Sequence, residues 1–170
     1  MRIKPRKAAH FYVRQLMHSL LVRFSLLLFA LTVPIHSQSA EMNIIEEFQG
    51  HVAAKRWNAA LPVIEEIVRR APGISTSWRN YGVCLDELGR HSEAANAFAK
   101  AYELEPNDFG TQYRVFRSLS LANDSKGFIA FAESESKKAP EILDLISAAE
   151  EFKAIAQTNE FQGLLKRRAH

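Results

Sequence analysis

The sequence predicts an all-α fold, a short solenoid of antiparallel helix pairs closed by capping helices. Three observations predict it. The stretch from Ser75 to Asp108, STSWRNYGVCLDELGRHSEAANAFAKAYELEPND, carries two successive helical stripes within 34 residues. Pro72, Pro106 and Pro140 recur at the same 34-residue interval, each where a helix has to stop. Weaker versions of the central pattern flank it on both sides.

The first 40 residues stand apart. They hold six Lys/Arg (Arg2, Lys4, Arg6, Lys7, Arg14, Arg23) and no acid, which leaves 16 of the 22 bases against 19 acids, a net of −3. The overall charge of +3 therefore reports this segment, and a nucleic-acid binder is not indicated. Phe24 to Pro34, FSLLLFALTVP, is an uncharged apolar run preceded by bases and followed by HSQSA, the plan of a secretory signal peptide. It is short for a membrane span. Residues 1–40 are read as this leader, of ordinary length if translation starts at Met17. Cleavage after Ser39 puts Ser37 and Ser39 at the small-residue positions, whereas cleavage after Ala40 puts Gln38 at one of them. No cysteine follows the run, so a lipoprotein route is closed. The expected location is the periplasm or the outside. The alternative is an uncleaved leader that anchors the domain in the inner membrane, facing the periplasm.

Residues 41–74 read as a degenerate first pair. A helix is expected from about Met42 to Ala54 with Ile45, Phe48 and Val52 as its stripe, one residue late relative to the central unit. Lys55 stands where a turn glycine would be. A second helix is expected from Trp57 to Arg70, with Ala60, Ile64 and Ile67 inward and Pro62 in its first turns, where a missing N–H is tolerable.

In the central unit, Trp78, Tyr81, Gly82 and Leu85 share one face of a first helix, and Ala94, Phe98 and Ala101 one face of a second. Gly82 and Ala94 permit close approach, the large residues fill the surrounding space, Gly89 supplies the turn and Pro106 ends the unit. This arrangement resembles the tetratricopeptide repeat, W-x2-L-G-x2-Y then A-x3-F then P. Tyr81 and Leu85 exchange the family's usual Leu and Tyr, and both keep a large apolar group inside. The resemblance implies a right-handed superhelical solenoid of about three repeats, 41–74, 75–108 and 109–142, with a cap over 140–168.

Residues 109–142 carry Tyr113, Phe116 and Leu119, then Asn123-Asp124-Ser125 as turn and helix cap, then Phe128, Phe131 and Ala132. Phe128 replaces a small residue, so this pair is expected to splay. Pro140-Glu141 opens a capping helix with Ile142, Leu143, Leu145, Ile146, Ala149 and Phe152 as its apolar face. Thr158-Asn159 interrupts it. Phe161, Leu164 and Leu165 then form a last amphipathic helix that ends in Lys166-Arg167-Arg168, bases suited to a helix C-terminus, with a basic docking tail as the alternative reading.

No catalytic constellation, metal-ligand spacing or phosphate loop occurs, so no enzyme activity, cofactor or metal is expected. Cys84 is alone and reads as a buried thiol. The acid pairs Glu46-Glu47, Glu65-Glu66 and Glu150-Glu151 read as solvated helix faces.

What remains is a surface. The family resemblance implies a concave groove lined by first helices, here Thr76, Arg79, Val83, Asp86 and Glu87, then Tyr113, Arg117, Ser120 and Leu121. Arg79, Arg117 and Tyr113 are the expected hold on a carboxylate. The alternative is that these charges only solvate the face. The expected function is an exported, non-catalytic adaptor that binds a protein or peptide segment, alone or as a homo- or hetero-oligomer. It touches a membrane only through an uncleaved leader. The alternatives are a structural subunit of an envelope complex that assembles through its convex face or cap, and an accessory or inhibitor subunit of an enzyme.

Overall fold

The computed structural model describes residues 35–168. Most of the expected leader, residues 1–34, lies outside the described residues. Among those described, the chain is all-helical: α1 Ile35–Ala53, α2 Trp57–Arg70, α3 Ser75–Glu87, α4 His91–Leu104, α5 Phe109–Leu121, α6 Ser125–Ser136, α7 Ile142–Ala148, a 3-10 turn Glu150–Phe152, α8 Lys153–Ala156 and α9 Asn159–Arg168. The chain divides between Asn43 and Ile44. In the first unit, residues 35–43 are helical, so helix runs through both expected cleavage points and begins before Met42. No described helix is long and apolar enough to cross a membrane.

The second unit, residues 44–170, is a solenoid of antiparallel helix pairs, α1–α2, α3–α4 and α5–α6, followed by the cap. One turn geometry repeats three times. Lys55, Gly89 and Asn123, spaced by 34 residues, all have positive φ, at 52°, 72° and 56°. The next N–H after each reaches back across the turn: Arg56 to the His51 carbonyl, Arg90 to Leu85 and Asp124 to Leu119, each at 2.9 Å. This is the Schellman closure of a helix, which needs a left-handed residue after the last turn. Glycine adopts that conformation freely, asparagine at modest cost, and lysine against its steric preference. At the third turn the Asp124 side chain accepts from Gly127 N and caps α6, as Asp108 caps α5 by accepting from Thr111 N.

The pairs solve one packing problem in two ways. In α3–α4 a glycine, Gly82, lies against the fully buried Phe98 ring. In α5–α6 the equivalent positions are exchanged: Phe116 takes the place of Gly82 and Ala132 that of Phe98. The extra ring, Phe128, stacks on Phe116 with centroids 4.9 Å apart. The large residue has moved from one helix to the other, so the interior stays filled. The added ring also holds the α5 and α6 backbones farther apart than those of α3 and α4, the expected splay. Burying a Phe ring of this kind contributes roughly 1.5–3 kcal/mol.

Two expected stripes are corrected. In α1 the inward row is Ile44, Phe48 and Val52, at i, i+4 spacing, while Ile45 is 47% exposed. In the cap the expected single helix breaks at Ala149, whose ψ of 119° is extended. Leu143 and Phe152 are both buried in the last core cluster. Nine residues apart on an unbroken helix they would face about 180° away from each other, so the chain has to turn between them. Leu145, placed on the apolar face by the sequence, is 62% exposed. Phe161 and Leu164 of α9 are buried against α6 and the cap, so they serve the core. Thr158 interrupts the chain as expected, its hydroxyl accepting from Phe161 N. Cys84 is fully buried, and burial followed by the field of Glu87 pushes its thiol up to about 11.

Candidate functional site

The first helices α3 and α5 bring the predicted groove residues to one side, and their charged members are already partnered within the chain. Asp86, with a side chain only 9% exposed, accepts from Ser118 Oγ at 3.0 Å, Arg117 Nη1 at 3.2 Å and His91 Nδ1 at 2.9 Å. It therefore ties the end of α3 to α4 and α5. Arg79 donates to Asp108 through Nη1 and to Thr76 Oγ1 through Nη2 at 3.2 Å. Asp108 also accepts from the Thr111 hydroxyl and N–H, which with Arg79 hold its carboxyl below the usual carboxylate range. Both guanidinium groups expected to hold a partner's carboxylate are thus engaged by the chain's own acids. Val83 and Ser120 are half-buried, and Glu87 and Leu121 are exposed at the ends of their helices.

Tyr113 is different. It is 45% exposed, its hydroxyl donates to Glu151 Oε1 at 2.9 Å, and its ring lies 6.0 Å from that of Phe152. It forms one wall of an apolar pocket of about 300 Å³ between α5 and the cap, lined also by Phe109, Phe116, Ile142, Leu145 and Phe152. Phe109 is 76% exposed. The break at Ala149, which also lines the pocket, turns the chain so that Phe152 closes the inner end.

Beneath the pocket lies a buried polar cluster. Glu135, 3% exposed, accepts from Tyr102 OH at 2.6 Å, Gln112 Nε2 at 2.9 Å and Lys138 Nζ at 2.8 Å. Burial alone would raise its carboxyl, but the three donors outweigh burial and hold it below its ordinary value. Tyr102, buried and facing that carboxylate, is pushed up to about 12. Gln112 also lines the pocket, so the cluster fixes one of its walls.

Sequence reasoning found Tyr113 and missed Phe109, Leu145 and Glu135. A signal existed for Glu135: it occupies the position of Ala101 and Ile67 in the earlier repeats, where a carboxylate has to be paired. Phe109 follows a helix cap and lies outside the packing stripe, which is the signature of an exposed aromatic. Among the described residues no group of His, Cys, Asp or Glu is arranged to hold a metal.

Residues 75–108 match the family model of the tetratricopeptide repeat. The chain is an all-α tetratricopeptide-repeat (TPR) protein. No curated protein matches it by sequence. Among solved structures it is similar to PcrH in complex with the chaperone binding region of PopD, at 13% identity over 78% of this chain and 92% of that one, TM-score 0.50. It is also similar to the Arabidopsis OM64 TPR domain (16% identity, 76% and 94%, TM-score 0.48) and to the TPR2B domain of yeast Sti1 in its pHsp70 complex (19%, 74% and 96%, TM-score 0.48). At these identities the likeness is one of fold.

Proposed function

We propose that this chain is a non-catalytic adaptor that binds a segment of another protein along the α3–α5 face, with the pocket between α5 and the cap as its anchoring point. The observation that carries this reading is the joint exposure of Phe109, Tyr113 and Leu145 around a preformed apolar hollow. Large apolar groups left in water around a concavity mark interaction sites. Helix-in-groove and extended-segment recognition both anchor in this way. PcrH, of similar fold, is solved with a segment of PopD, which supports the same use of the scaffold here. The internal pairing of Arg79 and Arg117 moves the expected contact from those bases to the pocket.

Photocrosslinking tests this reading. A benzoylphenylalanine at position 109 is expected to trap a partner protein in cells, whereas the same group at exposed Asn96 on α4 is not. Adducts from position 96 with none from 109 would move binding to the opposite face.

Export is the second part of the proposal. It rests on the basic and apolar order of residues 1–40. Fusing these residues to alkaline phosphatase should give periplasmic activity, and N-terminal sequencing of the mature chain should separate cleavage near Ser39 from an uncleaved anchor. An inactive fusion would refute export.

A further inference from the structure

The pocket's charge environment narrows its occupant. Glu141 lines the pocket, and no cation pairs with its carboxylate among the described residues. Across the hollow Glu151 is exposed and accepts only the neutral Tyr113 hydroxyl. The neighbouring bases are all engaged elsewhere: Arg117 with Asp86, Lys138 with Glu135, Lys153 with Glu150, and Arg114 over the Phe98 ring at 5.6 Å. The pocket is thus an apolar hollow between two carboxylates that lack cations. An acidic partner would meet repulsion there, and a neutral one would leave both carboxylates as they are.

We infer that this pocket takes the bulky apolar side chain of a partner segment that also carries a lysine or arginine within about one helical turn of that anchor, where Glu141 and Glu151 receive it. The inference rests on the adaptor reading above and adds the chemistry of the segment. It reverses the charge expected from the sequence, in which Arg79 and Arg117 would have selected an acidic segment. The anchor supplies most of the affinity through burial among Phe109, Phe116, Leu145 and Phe152, and the carboxylates supply the choice among segments.

The test uses the full-length chain and three fluorescent 12-residue peptides in anisotropy titrations. The first has Leu and Phe at i and i+4 flanked by lysines. The second has the same core flanked by glutamates. The third has the lysines with alanines in place of Leu and Phe. The first is expected to bind at least fivefold more tightly than the second, as suits one or two exposed charge pairs, and tighter still than the third. That preference should shrink with added salt and reverse in Glu141→Lys. The exposed Leu145→Glu should abolish binding of the first peptide, and circular dichroism should show both variants folded. Equal binding of the first two peptides, or a preference for glutamate flanks that Leu145→Glu removes, would overturn the inference and leave groove binding standing. Failure of all three to bind would overturn it too, while the crosslink from position 109 judges the adaptor reading separately. Self-association of the chain that Leu145→Glu abolishes would assign the pocket to a second copy and also overturn it.

Discussion

Gly82 lies flat beneath the Phe98 ring, so close that a Cβ on Gly82 would fall 2.7 Å from Phe98 Cε1. The ring is fully buried and has no room to withdraw. Gly82→Ala is therefore expected to destabilise the fold by about 1–3 kcal/mol through overpacking, although alanine is the better helix former. Urea denaturation followed by circular dichroism measures this, and an unchanged midpoint would show that the α3–α4 pair gives way easily.

Lys55 is the one turn residue of the three that is held left-handed against its preference, at φ 52°. Lys55→Gly is expected to stabilise the chain by about 0.5–1 kcal/mol, the relief of backbone strain less the added freedom of the unfolded chain. Gly89→Ala, at φ 72°, should change stability in the opposite direction. The two midpoints in one denaturation series check the pair of signs.

Asp86 gathers donors from Ser118, Arg117 and His91. Asp86→Ala should cost about 1–3 kcal/mol, because the half-buried serine and histidine groups lose their acceptor. Arg117→Glu should also lower stability by setting a like charge against Asp86. A thermal melt separates these effects on folding from effects on binding.

Glu135 and Tyr102 predict stability limits at both ends of the pH scale. The Glu135 carboxyl is held below its ordinary value in the folded chain, so its contribution is present above about pH 4.5 and is lost as the pH falls through the lower folded value. Tyr102 is raised from 10.0 to about 12, so its contribution is present below pH 10 and is lost as the pH rises toward 12. Glu135→Gln should flatten the acid limb, and Tyr102→Phe the alkaline limb, of a plot of melting temperature against pH.

Cys84 should be inert in the native protein. Its thiol is fully buried and pushed up to about 11, and the thiolate is the reactive form. An aromatic disulfide reagent is expected to react only after denaturant is added. Reaction at the native rate of a free thiol would show frequent opening of the α3 region.

Much of the fold was legible because its signals are periodic. The 34-residue spacing of Pro72, Pro106 and Pro140, with the Gly82, Ala94 and Phe98 triad, located every helix of the three pairs to within a residue or two apart from the start of α1. The third pair was fainter because the large residue had crossed from α6 to α5, which keeps the volume and changes the pattern. The cap was misread as one helix because Leu143 and Phe152 are both apolar. That their directions conflict emerges only from counting the turn between them. The charged groove residues were located correctly along their helices, but their use was not legible. Arg79 finds Asp108 and Arg117 finds Asp86 across 29 and 31 residues of sequence, and no local pattern announces either pair.

The hollow beside Tyr113 owes its existence to a bend in the main chain at Ala149 more than to the side chains that line it. A cavity shaped by backbone can keep its dimensions while its lining is exchanged. Phe109, Ile142 and Leu145, partly or largely outside the core, are therefore open to replacement at little cost to folding. Descendants of this chain would be free to acquire new binding preferences on an inherited frame, provided that the bend is kept.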